Sequence, residues 1–436
     1  MTPAARLSAA IELLCAIESA PRRPADAVAN AFFRDRRFIG GGDRRAISAL
    51  TWATLRGWRR LNWHLRDVPG GASPRLLVAA AILLADAAGD VPQQGFSEVS
   101  ALFDGSRFAP DPLSPREALA LQSVARSTLD DPAMPRAIRF EIPEWLEPAL
   151  GAQFGDAFET EMAALLQPAP LDLRVNLLRG TRDEAARALR REKLAATPTP
   201  LSPWGLRLAG RQPITAASAF KSGLVEIQDE GSQLIAAAVS AGPDMRVLDY
   251  CAGAGGKTLA LAMCMDNRGH IVACDVSEAR LEGAVKRLRR AGVHNAERHL
   301  LVSGDKWAKR RAGSFDRVLV DAPCSGTGTW RRNPDARRRF SENDLAELRV
   351  KQSEILDRAA GLVRPGGRLV YATCSLLAAE NADQVRAFLS RRPDYTMGAV
   401  DGPNWPAALD GAGMVSLTPA QHETDGFFVC VLQRAA

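Results

Sequence analysis

Two cysteines follow segments that read as buried strands. Asp316-Arg-Val-Leu-Val-Asp321 closes in an acid, and Cys324 lies just beyond it in Asp321-Ala-Pro-Cys-Ser-Gly-Thr-Gly328. Arg368-Leu-Val-Tyr-Ala-Thr373 is a second such strand, and Cys374 follows it in Ala372-Thr-Cys-Ser375. A cysteine usually packs as a small hydrophobe, which is the reading for Cys15, Cys264, Cys274 and Cys430. At a strand end beside an acid, a nucleophilic thiolate is the better reading. Cytosine methylation is a reaction that needs one, because C5 of the ring is a poor nucleophile toward a methyl donor. Addition of a thiolate to C6 turns the ring into an enamine, and C5 can then attack. The charge that builds on the ring is relieved at N3 by a carboxyl of raised pKa, for which Asp321 is the candidate. A second thiol would assist expulsion of the first, and the base must leave its stack to be reached. Spacing alone leaves open which cysteine attacks.

A methyl donor needs a site of its own, and Val247-Leu-Asp-Tyr-Cys-Ala-Gly-Ala-Gly-Gly-Lys-Thr258 offers one. It reads as a strand, a tight turn and a helix beginning near Leu259, whose free N–H groups would face a ligand. Gly253, Gly255 and Gly256 allow positive φ and let that ligand approach the backbone closely. A dinucleotide fingerprint would need G-x-G-x-x-G, which this run does not supply. A phosphate-binding P-loop would place Cys251 where its first glycine belongs, although Val318-Leu-Val-Asp321 could pass for its metal-binding strand. The remaining reading is S-adenosylmethionine lying across the first βα turn of an open sheet. That reading calls for an acid at the end of the next strand, about twenty residues on, to hold ribose hydroxyls. Asp275, closing His270-Ile-Val-Ala-Cys-Asp275, supplies it.

The elements that must position these groups alternate strand and helix. Glu278–Arg290 is a basic amphipathic helix, and Ser341-Glu-Asn-Asp344 can cap a long helix carrying Leu345, Leu348, Ile355, Leu356, Ala359 and Leu362 on one face. Pro365-Gly366-Gly367 is expected to end that helix before the next strand. Such alternation implies an α/β domain with a parallel sheet and its ligands at the carboxyl ends of the strands. Gly253–Lys257, Asp275, Asp305, Asp321, Cys324 and Cys374 all fall at such ends. Upstream, Leu171–Asn176 alternates as a strand, and Thr181-Arg-Asp-Glu184 resembles a capping box, giving a small α+β unit that ends near Phe220. Pro143 is expected to open a helix. The first 140 residues read as helical, with Leu7, Ile11, Leu14 and Cys15, and Ile47, Leu50, Thr54 and Leu55, at helical spacing. Between residues 22 and 66, Arg22, Arg23, Arg34, Arg36, Arg37, Arg44, Arg45, Arg56, Arg59, Arg60 and Arg66 outnumber Asp26, Asp35 and Asp43, and the last of them are interleaved with Trp52, Trp58 and Trp63. That density fits phosphate contacts better than a solvated face alone.

At 436 residues the chain is too long for one ordinary core. The expected division is an all-α domain over 1–135, a small α+β subdomain over 136–222 and the large α/β domain over 223–436. A hydrophobic fraction of 46% with 24% charged residues describes a soluble globular protein without a membrane partner, and the +6 charge is compatible with a polyanionic one. Glu12 and Glu18 interrupt any secretory leader pattern. Seven cysteines without C-x-x-C spacing fit neither a disulfide framework nor a zinc site, which points to a reducing cytoplasm.

At these residues the chain resembles the Nop/Sun family of RNA cytosine-C5 methyltransferases. The resemblance rests on Asp249-Tyr-Cys-Ala-Gly-Ala-Gly-Gly-Lys257, Asp321-Ala-Pro-Cys-Ser-Gly-Thr-Gly328 and Thr373-Cys-Ser375, with Gln228-Asp-Glu-Gly-Ser-Gln233, Arg331-Arg-Asn-Pro-Asp335 and Asp425-Gly-Phe-Phe428 in support. It covers roughly residues 140 to 436. Asp43-Arg-Arg45 and Leu55-Arg-Gly-Trp-Arg-Arg60 are similar to a NusB-like RNA-binding domain, a pairing found in the bacterial RsmB/Fmu-type branch that acts on 16S ribosomal RNA. The resemblance implies a Rossmann-like S-adenosylmethionine-dependent methyltransferase domain, with Cys374 as nucleophile and Cys324 aiding release. It implies that Cys251, Ala252, Gly253, Ala254, Gly255, Gly256, Lys257, Asp275, Arg280, Asp305 and Asp321 bind the cofactor, with Lys257 and Asp321 between cofactor and base. Ala254 stands where the family commonly has proline, so the loop is slightly less rigid. The expected partner is RNA, free or within an assembling small subunit, and the expected state is a monomer. The rival readings are a transfer-RNA methyltransferase of the same chemistry, a nucleotide hydrolase and a non-catalytic RNA-binding or assembly factor.

Overall fold

Leu7, Leu13, Leu14 and Ile17 form the buried stripe of a helix over Pro3–Glu18, started by Thr2, whose hydroxyl accepts the N–H of Ala5. The computed structural model describes residues 1–85, 91–210, 212–304, 306–400, 405 and 413–436. It divides into two compact units, one of Met1–Gln167 with Trp330–Ser341, the other of Pro168–Thr329 with Glu342–Ala436. In the first unit, helices Ala25–Asp35, Gly41–Arg56, Trp58–His64 and Pro74–Leu83 join the opening helix around one core. Every residue from Leu76 to Leu83 is buried, so the helix over Pro74–Leu83 is apolar all round and central. Ile47, Leu50, Thr54 and Leu55 are buried as their spacing predicts, whereas Cys15 is exposed rather than packed. Several arginines are structural: Arg36 lies 3.8 Å above the Phe32 ring and Arg44 lies 4.8 Å above that of Phe33. Arg22, Arg23, Arg37 and Arg45 are exposed. Pro143 precedes a 3₁₀ turn, Glu144–Leu146, and the α-helix starts only at Glu147.

The segment Trp330–Ser341 is far along the chain from the rest of this unit but packs within it. Asp335 accepts the N–H of Ala25 at 3.1 Å, capping a helix whose own N-cap residue is a proline. Arg337 donates to the carbonyl of Leu165 at 2.6 Å, and Arg338 stacks on Trp58 at 3.5 Å.

The second unit holds two sheets. The smaller contains β1 (Leu171–Val175), β2 (Ala196–Pro198), β3 (Gly205–Leu208) and β4 (Val225–Ile227), all antiparallel in the order β2-β3-β1-β4. The Thr181/Glu184 capping box opens the helix Arg182–Arg191 that covers it. This sheet runs to Ile227, past the small unit's expected end near Phe220.

The larger sheet contains β5 (Arg246–Asp249), β6 (His270–Asp275), β7 (Ala296–Leu300), β8 (Phe315–Asp321), β9 (Val363–Thr373), β10 (Tyr395–Gly398), β11 (Met414–Leu417) and β12 (Phe427–Arg434). Its order is β10-β12-β9-β8-β5-β6-β7, with β11 also paired to β12. Strands β5 to β9 are parallel, as the alternation predicts, while β12 runs antiparallel to β9, β10 and β11. The chain winds from β5 toward β7, then returns to β8 and β9 on the other side of β5. The reversal puts the topological switch point between β5 and β8, where an open sheet gapes at its carboxyl edge. Two local expectations differ from the fold. The long helix ends at Ala360, and Pro365-Gly366-Gly367 lies inside β9, where Gly366 takes a φ of 69° beside a register shift against β8. The helix after the glycine loop starts at Gly256, three residues before Leu259.

Candidate active site

The glycine loop leaves β5 at the switch point. Gly253 and Gly255 take φ of 55° and 77°, which L side chains rarely adopt. Gly256 does not; it is the first residue of the helix Gly256–Cys264. A side chain at Gly253 would meet nothing within 4 Å, so the loop borders open space there. Backbone bonds fix the loop: Ala252 donates to the carbonyl of Cys274 at 2.8 Å, and Gly253 donates to Asp275 Oδ2 at 2.9 Å. Asp275 is buried, and its other oxygen accepts the N–H of Ser277 at 2.8 Å. Arg287 donates to the carbonyl of Ala254 at 2.9 Å, and buried Arg174 donates to that of Gly256 at 3.0 Å. Cys251 packs against the core, and burial pushes its thiol far up, with Asp321 and Asp249 adding to the effect.

A cavity of about 280 Å³ opens over the helix N-terminus, lined by Asp249, Ala252, Gly256, Lys257, Arg287 and Asp321 among others. Lys257 Nζ lies 2.6 Å from Asp321 Oδ2. Burial alone would lower the lysine pKa, but the Asp321 carboxylate outweighs it and keeps an ammonium there. That ammonium also feels the sulfur of Cys374. The deeply buried carboxyl of the site is Asp249, not Asp321, which is 30% exposed at its side chain. Burial pushes Asp249 up to about 7 against the lowering hydrogen bond from Thr258, with the charge of Asp321 adding to the rise. Its Oδ2 accepts from Thr258 at 2.7 Å, and its buried Oδ1 has no protein partner.

Cys324 and Cys374, 50 residues apart in sequence, meet with their sulfurs 3.4 Å apart, and both are partly exposed. Cys374 lies neither sealed nor turned away from the Lys257–Asp321 pair. The Cys324 thiol is pushed well up, first by its hydrogen bond with Cys374, then by burial and by the charges of Cys374 and Glu380. Cys324 is therefore the sulfur that keeps its proton, and it can donate that proton to Cys374. The loop carrying Cys324 is pinned from behind. The Gly328 N–H donates to the carbonyl of Cys374 at 3.0 Å, and Gly426 donates to that of Gly328 at 2.9 Å. A side chain on either glycine would strike the other's backbone, at 2.1 Å for Gly328 and 2.6 Å for Gly426, which is why the Asp425-Gly-Phe-Phe428 stretch carries a glycine.

Of the residues expected at the site, Gly253–Lys257, Asp275, Asp321, Cys324 and Cys374 gather at the ends of β5, β6, β8 and β9. Cys264 lies partly buried on the helix, while Cys274 and Cys430 are buried in the sheet. Arg280 is exposed on the helix after Asp275; Arg287, seven residues further on, is the arginine that lines the cavity. Asp305 lies outside the described residues. Arg287, Arg174 and Glu380 were missed in sequence, where each reads as an ordinary helix or strand residue. Among the described residues no cluster of three or more histidines, cysteines or acids could hold a metal ion, and no helix is long and apolar enough to cross a membrane.

A glycine turn at the switch point of a sheet with an antiparallel β12 beside β9 defines a Rossmann-like methyltransferase, whose cofactor is S-adenosylmethionine. The site fits that cation: carboxyls end β5, β6 and β8, one of them has an unpartnered oxygen, and the loop is open above Gly253. The model of the 16S rRNA methyltransferase RsmB/F family matches residues 236–433, and that of the RsmF/B-like ferredoxin-like domain matches residues 142–215. The ribosomal RNA small subunit methyltransferase B of Klebsiella pneumoniae is 37% identical over 297 residues, covering 67% of this chain and 66% of its own. The probable ribosomal RNA small subunit methyltransferase B of Synechocystis is 33% identical over 317 residues, covering 71% and 70%. The chain thus belongs to the RsmB/F family of 16S ribosomal RNA methyltransferases, aligned over about two thirds of its relatives' length. Among solved structures, a methyltransferase homolog protein from Pyrococcus horikoshii superposes with a TM-score of 0.60 at 28% identity, over 68% of this chain and 97% of that one. The crystal structure of PH0851 superposes over 100% of this chain and 99% of its own with a TM-score of 0.79; at 24% identity it speaks for the fold alone.

Proposed function

We propose that this protein methylates C5 of a cytosine in RNA, with 16S ribosomal RNA as the substrate, through a covalent bond between Cys374 and C6 of the base. The single observation that carries the reading is the pair of sulfurs 3.4 Å apart beside the Lys257–Asp321 ion pair. Cys374 attacks C6 while the Cys324 thiol, which retains its proton, holds the attacking sulfur in place by a hydrogen bond. The ring's electron pair moves toward N3, where Asp321 and the Lys257 ammonium 2.6 Å behind it supply the balancing proton. Bound S-adenosylmethionine supplies the methyl group that C5 takes up. Loss of the C5 proton to water and of the N3 proton back to the Lys257–Asp321 pair then re-forms the C5–C6 double bond and expels Cys374 as the thiolate, which the Cys324 thiol stabilises by its hydrogen bond. Gly253–Lys257, Asp275 and Arg287 hold the cofactor, with Arg280 and Asp305 as further contacts.

The proposed division of this work is residues 1–135 as a NusB-like RNA-binding domain, 136–222 as an RNA-recognition subdomain and 223–436 as the catalytic domain. Exposed Arg22, Arg23, Arg37 and Arg45 support phosphate contacts by the first. The protein is proposed to act as a monomer in the cytoplasm, on free RNA or on an assembling small subunit. The test is methyl transfer from S-adenosylmethionine to small-subunit ribosomal RNA and to transfer RNA, with bisulfite mapping of both. New 5-methylcytosine in the ribosomal RNA is the expected result. Methylation of transfer RNA alone, or of neither, would overturn the reading.

A further inference from the structure

Glu380 is wholly buried, six residues past Cys374, and none of its carboxylate's four side-chain and backbone donors is a cation. Its Oε1 accepts the N–H of Ser325 and the side-chain amide of Gln352, both at 2.9 Å. Its Oε2 accepts the hydroxyls of Ser325 and Ser375. Ser325 follows Cys324 and Ser375 follows Cys374, so one carboxylate grips the residue after each cysteine. Neighbouring bonds close the same junction. The Gln352 amide also donates to the carbonyl of Pro323 at 3.0 Å, the residue before Cys324. The N–H of Leu376 donates to Thr327 Oγ1 at 2.8 Å, and Asn381 donates to the carbonyl of Ser375 at 2.8 Å. A desolvated carboxylate is costly unless fully hydrogen-bonded, and three donors from the two cysteine loops with one from the helix Glu342–Ala360 make the junction stable only in one arrangement.

We propose that Glu380 is the positioning residue that holds the two cysteine loops in register, setting the sulfur-to-sulfur distance that the methyl-transfer reading above requires. The inference rests on that reading for its purpose, but not for its geometry. The carboxylate touches no reacting atom; it acts through Ser325 and Ser375. Its charge also helps keep the proton on Cys324.

The two effects separate by substitution. Glu380→Gln keeps a carbonyl for Ser325 N–H and Gln352, and turns an NH₂ toward serine hydroxyls that can rotate to accept. Glu380→Ala removes the grip altogether. The full chain, free of RNA, is treated with diamide, and the Cys324–Cys374 disulfide is quantified by mass spectrometry. Disulfide closure is strict in geometry, so Glu380→Ala should cross-link at least about tenfold more slowly than wild type, and Glu380→Gln within about twofold of it. Turnover of Glu380→Ala should fall on the order of 100-fold, as a misplacement near 1 Å would cause, with the Kd for S-adenosylmethionine within about twofold. If Glu380→Ala does not fold, a Ser325→Ala/Ser375→Ala double variant, which removes two of the four donors, takes its place in the same assay. Cross-linking of the alanine variant at the wild-type rate would overturn the proposal. So would cofactor affinity falling in step with cross-linking, or failure of the wild-type sulfurs to cross-link. A wild-type protein that cross-links as expected but methylates no RNA would refute the functional reading and leave the clamp standing.

Discussion

Asp249→Asn isolates the most perturbed carboxyl of the site. Asp249 is wholly buried at the end of β5 and sits near 7, because burial disfavours its charged form and the Asp321 charge adds to that, more than the Thr258 hydrogen bond offsets. Its ordinary value is 3.8, so the folded chain holds this proton over a range where the unfolded chain has released it. The stability contributed is fully present below 3.8 and is lost progressively as pH rises through about 7. A gap of about 3 units corresponds to about 4 kcal/mol over the whole window, about half of it between pH 5.5 and 8. Asparagine has the same shape, keeps an oxygen for the Thr258 hydroxyl and does not titrate. At about 2 to 4 °C per kcal/mol, the Tm of the cofactor-free variant should rise relative to wild type by about 4 to 8 °C between those two pH values. Scanning calorimetry of both proteins at pH 5.5, 7 and 8 reads the difference directly. A difference that stays flat with pH, or that shrinks as pH rises, would refute the account of Asp249 as a buried, protonated acid.

Two further outcomes follow from the geometry. Gly426→Ala would put a methyl group 2.5 Å from Leu376 Cδ2 and 2.6 Å from Gly328 Cα, forcing the Cys324 loop to move. It should cost about 1–3 kcal/mol of stability and at least about tenfold in methyl transfer while sparing cofactor affinity, as thermal melting, rate assays and calorimetric titration would show. Lys257→Met removes the ammonium paired with Asp321 and strands that carboxylate. Methyl transfer should then fall at least about 100-fold while the protein still folds, as rate assays and circular dichroism would show; an unchanged rate would deny Lys257 any part in supplying the proton at N3.

What was legible in the sequence was local. The glycine turn, the acids closing β6 and β8 and the two cysteines are each announced by residues within a few positions of one another, and the fold gathers them at one sheet edge. The Thr181/Glu184 cap was readable for the same reason. Contacts across long stretches of chain left no such mark. Glu380 ends a 3₁₀ turn, Ala378–Glu380, and nothing near it in sequence reveals that it faces Ser325. Trp330–Ser341 follows the Cys324 loop yet packs among helices more than 160 residues upstream, because Asp335 and Arg337 find their partners there. Pro365-Gly366-Gly367 looked like a stop, but a bulge absorbs it inside β9. Asp321 was expected to be the buried acid because it ends an apolar strand; its ion pair with Lys257 and partial exposure give that place to Asp249, two strand ends being indistinguishable until the sheet order is known.

The central claim is that Cys374 bonds to the base and Cys324 lets it go. Incubation of wild type, Cys374→Ala and Cys324→Ala with S-adenosylmethionine and small-subunit ribosomal RNA, followed by a denaturing gel, tests it most directly. The account predicts a protein–RNA adduct that accumulates in Cys324→Ala, with neither adduct nor turnover in Cys374→Ala; normal methylation by Cys374→Ala would contradict it.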